Sequence, residues 1–182
     1  MKTPGQMGAR VKHLWRQARH RWWSRLGLDL LLFALVFGAV ATWQTRRLPV
    51  GAPAPDFTLR TLSGDTVRLA ELRGQPVVLA FWAPWCGVCK AESSTLSQLQ
   101  GTVGGSARVL SVAVAYDDEA DVRRFVREHD VDYPVLLGGG ALTRAYAVEQ
   151  FPTTFFVSAE GRIERAVIGY TTLPGMLWRL WW

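Results

Sequence analysis

The first sustained pattern along the chain is an apolar run. Leu26 to Trp43 holds eighteen residues and a single charge, Asp29. A run of that kind is within the range for a membrane-spanning helix. Trp22 and Trp23 stand before it and Trp43 closes it, as tryptophans do at the two membrane–water interfaces. From Trp23 to Trp43 a helix covers about 30 Å, the thickness of a hydrocarbon core. Residues 44–55 then lose the pattern. Their three prolines predict an extended linker.

Beyond the linker the periodicity changes repeatedly. Phe57-Thr58-Leu59 and Thr66-Val67-Arg68-Leu69 flank Ser63-Gly64-Asp65, which predicts a small hairpin. Pro76 to Ala83 is continuously apolar, the signature of a strand buried on both faces. A helix follows to about Gln100. Arg108 to Ala115 reads as a second buried strand. Asp117-Asp118-Glu119 opens a helix to about His129, with negative charge at its dipole's positive end and Val122, Phe125 and Val126 inward. Pro134 to Leu137 is a short strand, Ala141 to Val148 a short helix. Thr153 to Ser158 and Arg162 to Ile168 are strands joined by a turn at Ala159-Glu160-Gly161. Leu173 to Trp182 closes as an amphipathic helix. Strands alternating with helices predict an α/β sheet covered on both faces.

Charge divides the chain. Residues 1–25 carry seven Lys or Arg and no acid, while residues 44–182 carry fourteen of each sign. The net +6 therefore belongs to the first 29 residues, and the body lacks the basic excess a nucleic-acid interface needs. A basic stretch before the apolar run places the amino terminus in the cytoplasm and the body outside. The expected organisation is a basic cytoplasmic segment (1–25), a transmembrane anchor (26–43), a linker (44–55) and a folded domain (56–182). A cleaved signal peptide is the rival reading, since Ala39-Val40-Ala41 suits a cleavage site. The long leading segment and Arg46-Arg47 favour the anchor. Asp29 belongs at the cytoplasmic interface rather than in a membrane pair.

The chemistry lies in Trp85-Cys86-Gly87-Val88-Cys89-Lys90. Cys86 and Cys89 are the only cysteines of the chain. Two such thiols can close a small disulfide if a helix starts at the first, where free N–H groups and the macrodipole favour a thiolate. A static structural bridge is the weaker reading, because so short a loop removes little unfolded-state entropy. CxxC after a strand in a βα pattern points to redox chemistry. The alternative is a soft Cu(I) site, for which supporting ligands are few: Met1, Met7, His13 and His20 precede the anchor, leaving Met176 and His129 in the body. Peroxidase chemistry of the peroxiredoxin kind expects a Thr three residues before its cysteine, and Ala83 stands there. Lys90 reads as a solvated lysine, Trp82 as core, and Trp178, Trp181 and Trp182 as packing on the sheet, with a membrane-facing patch as the alternative.

Phe81-Trp82-Ala83-Pro84-Trp85-Cys86-Gly87-Val88-Cys89 together with Phe151-Pro152-Thr153 resembles the membrane-anchored thioredoxin-like proteins of bacterial periplasms. The added strand and helix between Val131 and Val148 resemble their TlpA/ResA-like branch. Gly87-Val88 and the ending Gly175 to Trp182 look most like its suppressor-of-copper-sensitivity protein D type. The resemblance covers about residues 50–182. It implies a thioredoxin fold with an N-terminal hairpin and an inserted strand–helix, a catalytic pair with Cys86 as exposed nucleophile and Cys89 as shielded resolving thiol, and a cis Pro152 against the disulfide. It implies that Trp85, Gly87, Val88, Phe151 and Thr153 meet the partner chain, and that no cofactor or metal is needed. Its partners would be periplasmic protein thiols and disulfides, with a membrane thiol reductase as donor and a link to copper tolerance. The catalytic domain would sit in the periplasm on a single-pass inner-membrane tether. Ala80 stands where thioredoxin has a buried Asp, and Ser94 where relatives have a kinking Pro. Glu92 stands where the branch has a Glu. It is either the proton acceptor for Cys89 or a solvated surface carboxylate.

Overall fold

The computed structural model describes residues 28–40 and 48–182, and the chain divides into two units, Met1–Gln44 and Thr45–Trp182. In the first unit residues 28–40 form helix α1, exposed along its whole length. The rest of the expected anchor, its flanking Trp22, Trp23 and Trp43, and the basic segment 1–25 lie outside the described residues. Among the described residues no helix is long and apolar enough to cross a membrane.

In the second unit Thr58–Arg60 (β1) and Thr66–Arg68 (β2) form an antiparallel hairpin. A short 3₁₀ turn, Leu69–Leu72, leads on to Val77–Trp82 (β3). Helix α2 spans Gly87–Val103, β4 Arg108–Ala113, α3 Glu119–Glu128 and β5 Val135–Leu137. Helix α4 spans Gly140–Ala145, β6 Thr153–Val157, β7 Ile163–Ile168 and α5 Leu173–Trp181. The five-stranded sheet has the order β5-β4-β3-β6-β7. Strands β3, β4 and β5 are parallel, and β6 and β7 run antiparallel. This is the thioredoxin-like α/β fold, with the hairpin and the inserted β5–α4.

Alternation along the central strand builds the two layers. Val78, Ala80 and Trp82 face one cluster, closed by Leu96 and Leu99 of α2, Phe125 of α3 and Met176 of α5. Val77, Leu79 and Phe81 face the other, closed by Tyr146, Leu142 and the incoming Leu48 and Phe57. Every residue of β3 is buried, because both faces are covered. The hairpin guards the β5 edge: Leu62 N–H donates to Val135 O at 2.8 Å, blunting an edge that would otherwise invite pairing. Helix α2 continues to Val103, past the expected Gln100, and ends on Gly104 at φ 53°, the left-handed cap that glycine favours.

Candidate active site at the start of α2

Strand β3 delivers the cysteines. It ends at Trp82, and Cys86 is the N-cap of α2. Cys86 and Cys89 are joined as a disulfide with their Cα atoms 5.2 Å apart. Cys89 N–H donates to Cys86 Sγ at 3.1 Å, so the first sulfur takes one of the donors that a helix start leaves free. Such a donor also favours a thiolate at that atom. Cys86 is 6% exposed and Cys89 3%. The expectation of an openly exposed Cys86 is thus corrected: in the disulfide both are buried residues. The exposed surface at the site comes from Trp85, Gly87, Val88 and Lys90.

The register of the sheet brings the second motif alongside. Phe81 pairs with Thr153, so Pro152 lies beside the end of β3. The Phe151–Pro152 peptide is cis. Pro152 O accepts from Gly169 N–H at 2.8 Å, and Thr153 Oγ1 donates to Gln150 O at 2.7 Å. Thr153 is buried, so its side chain is committed within the protein. The main-chain groups of Phe151 take part in none of the backbone hydrogen bonds outside strands and helices. Trp85 bridges the two loops. Its Nε1–H donates to Ala115 O at 2.8 Å, and its ring meets Phe151 edge-on at 5.9 Å. Ala115 adopts φ 51°, a conformation no sequence signal announced. A cleft of about 520 Å³ opens beside Trp85, lined also by Pro84, Lys90, Tyr116, Arg124 and Phe125.

Glu92 is not a surface carboxylate. It is 1% exposed, one turn beyond Cys89 on the same face of α2. Thr171 N–H donates to its Oε1 at 3.1 Å. Burial raises its pKa from the ordinary 4.5 to about 7, against the smaller lowering effects of Thr171 N–H and the neighbouring Thr154 hydroxyl. Thr154 Oγ1 is buried and makes no well-formed hydrogen bond of its own. Its influence on Glu92 is therefore one of proximity. Burial, with Glu92 and Asp132 adding negative charge, also pushes Tyr133 above its usual range. Thr171 and Thr154 escaped sequence reasoning, since nothing local marks a threonine as the neighbour of a carboxylate so far back along the chain. Trp82 is core, as expected, its ring tilted against that of Phe125 with centroids 4.2 Å apart. Trp178, Trp181 and Trp182 are exposed rather than packed on the sheet; Met176 and Leu180 are the α5 side chains that face inward. Among the described residues no group of three or more His, Cys, Asp or Glu could hold a metal ion.

A buried helix-start disulfide beside a cis-proline loop is an arrangement for thiol–disulfide exchange, and similar proteins are named for that exchange. The AhpC/TSA family model matches residues 50–166. The chain is 35% identical over 167 residues to the thiol-disulfide oxidoreductase ResA of Oceanobacillus iheyensis, covering 87% of this chain and 86% of that one. Among solved structures it is similar to a putative thiol:disulfide interchange protein DsbE from Chlorobium tepidum (TM-score 0.66, 27% identity, 73% of this chain and 99% of that one). It is also similar to the exposed lipoprotein thioredoxin of Streptococcus pneumoniae (TM-score 0.64, 30% identity, 69% of this chain and 98% of that one). The chain belongs to the AhpC/TSA family, is related within it to the ResA-type proteins, and is a protein thiol–disulfide oxidoreductase.

Proposed function

We propose that this protein is a membrane-tethered reductant of specific protein disulfides outside the cytoplasm. Cys86 is its nucleophile, Cys89 its resolving thiol and Glu92 its proton acceptor. The observation that carries the reading is the Cys86–Cys89 disulfide at the N-terminus of α2, with a buried carboxyl one turn further on. In the reduced protein the Cys86 thiolate attacks one sulfur of a partner disulfide. That S–S bond breaks, the partner's other sulfur leaves as a thiolate, and a mixed disulfide forms on Cys86. Glu92 then takes the Cys89 proton, and the Cys89 sulfur attacks Cys86. The partner departs with two thiols, and two electrons have passed from the protein pair to the partner. A carboxyl whose pKa stands at about 7 is suited to taking and returning a proton at neutral pH. The free main-chain groups of Phe151 support an added-strand contact with the partner, flanked by Trp85, Gly87 and Val88, while buried Thr153 holds the loop through Gln150 O.

The address rests on sequence. Residues 26–43 form the anchor, 1–25 the cytoplasmic side and 44–55 the linker, with the domain of residues 56–182 in the periplasm. The pneumococcal relative is by name an exposed lipoprotein, which is in keeping with a catalytic domain outside the cell's reducing interior. A membrane thiol reductase would restore the dithiol. The copper-tolerance link rests on Gly87-Val88 and residues 175–182. The Cu(I)-binding alternative would draw on Met176 and His129, but Met176 is fully buried in the apolar layer.

Trapping tests the proposal. Cys89→Ser should leave a stable mixed disulfide on Cys86, and its recovery should yield a partner and a membrane donor. Absence of any Cys86 adduct, with copper retained on purification, would overturn it.

A further inference from the structure

Helix α5 carries three large indoles that nothing in the domain covers. Trp178 is 63% exposed, Trp181 48% and Trp182 76%, with Trp178 and Trp182 stacked at 5.9 Å. Trp85 is the one described tryptophan whose indole N–H reaches a protein acceptor, so these three keep theirs free. From Arg165 to Trp182 the chain has two arginines and no acidic residue. Apolar rings with a polar N–H suit the interfacial zone of a bilayer rather than water, and the positive charges of Arg165 and Arg179, each bonded to a main-chain carbonyl of α5, favour an anionic one.

The topology tells which end of the domain this is. Strand β3 runs from Val77 to the CxxC, and β7 is parallel to it across β6. The pairs Val77–Val157 and Val157–Ile163 therefore mark the end away from the cysteines. The chain enters the domain at that same end: Gly51 N–H donates to Ile163 O at 2.7 Å, and Ile163 N–H to Ala52 O at 2.9 Å. Helix α5 starts near Glu92, since Thr171 N–H binds that carboxyl. It then runs back along the sheet, so that Arg165 Nη1 donates to Arg179 O at 2.9 Å. Trp178 to Trp182 thus lie at the same end of the sheet as the entry point, on the α5 layer, and at the opposite end from the disulfide. In the tethered reading this is the end at which the chain arrives from the anchor.

We infer that the exposed tryptophan face of α5 is a membrane-surface docking site. It seats the domain on anionic phospholipid with the CxxC end turned outward, toward partners. The inference rests on the tethered reading above, yet it is testable without the tether. The unit 45–182 contains the whole sheet and both apolar clusters, so it carries what its fold requires. That unit should co-sediment with vesicles of phosphatidylglycerol and phosphatidylethanolamine at low salt. Added salt should weaken the binding, because exposed charge attraction is screened. The double variant Trp178→Ser/Trp182→Ser should bind about tenfold less or worse, having lost most of the apolar area involved. Its rate of reducing a small disulfide should be unchanged, which separates this outcome from a misfolded domain and from failure of the redox reading. No sedimentation of the parent unit, or equal sedimentation of the variant, would overturn the inference. So would a parent that self-associates, does not bind vesicles, and becomes monomeric in the variant, since the face would then be a contact between copies.

Discussion

Glu92 shows how one residue's environment sets its chemistry. On sequence it is a carboxylate in an amphipathic helix. Folded, it lies under α5 with a main-chain donor, and its pKa climbs to about 7. Between pH 4.5 and 7 the native state therefore holds a proton that the unfolded chain has released. Stability should fall as pH rises through that window and level off above it, a loss of up to about 3 kcal/mol. Glu92→Gln keeps the acceptor for Thr171 and has no proton to lose. Urea midpoints of the oxidised protein across that range should decline for the parent and run flat for the variant. In the reduced protein the same variant should slow Cys89-dependent resolution of a mixed disulfide and remove its dependence near pH 7. Stopped-flow measurement with an unchanged rate and pH profile would rule out proton transfer by Glu92.

At the scale of elements, two local features hold the layers on the two faces of the sheet. Asp118 caps α3 by accepting from Ala120 N–H at 2.9 Å, and Glu119 and Asp121 add charge to the first turn. Asp118→Ala should cost about 1 kcal/mol, read as a lower unfolding midpoint with disulfide exchange intact. Gly138, between β5 and α4, has no room for a side chain. A Cβ there would overlap Val112 Cγ1 and stand 3.0 Å from Val114 Cγ1, both stiff β-branched groups in the core. Gly138→Ala should destabilise by about 1–3 kcal/mol, checked by chemical denaturation.

For the whole molecule, the division between Gln44 and Thr45 carries its own expectation. Both apolar clusters of the catalytic unit are built from residues 48–182. Removal of residues 1–44 should leave its unfolding midpoint and its reduction of small disulfides unchanged, as followed by circular dichroism and a thiol assay. A lost cooperative transition would show that the leading segment is part of the fold.

Much of this was legible in the chain itself. The alternation of β3 and the spacing of the cysteines are local properties, so periodicity and a four-residue motif were enough to place the redox pair after a buried strand. The linker prolines and the uneven charge are equally local, and they alone carry the tethered reading. Burial of one particular side chain is different, because it depends on which distant segment comes to lie over it. Only the return of β7 and α5 put Thr171 on Glu92 and left three tryptophans facing solvent. Sequence by itself located the cysteine pair and the strand that precedes it. Tertiary packing decided the burial of the cysteine pair and the protonation of Glu92, because desolvation is set by neighbours distant along the chain.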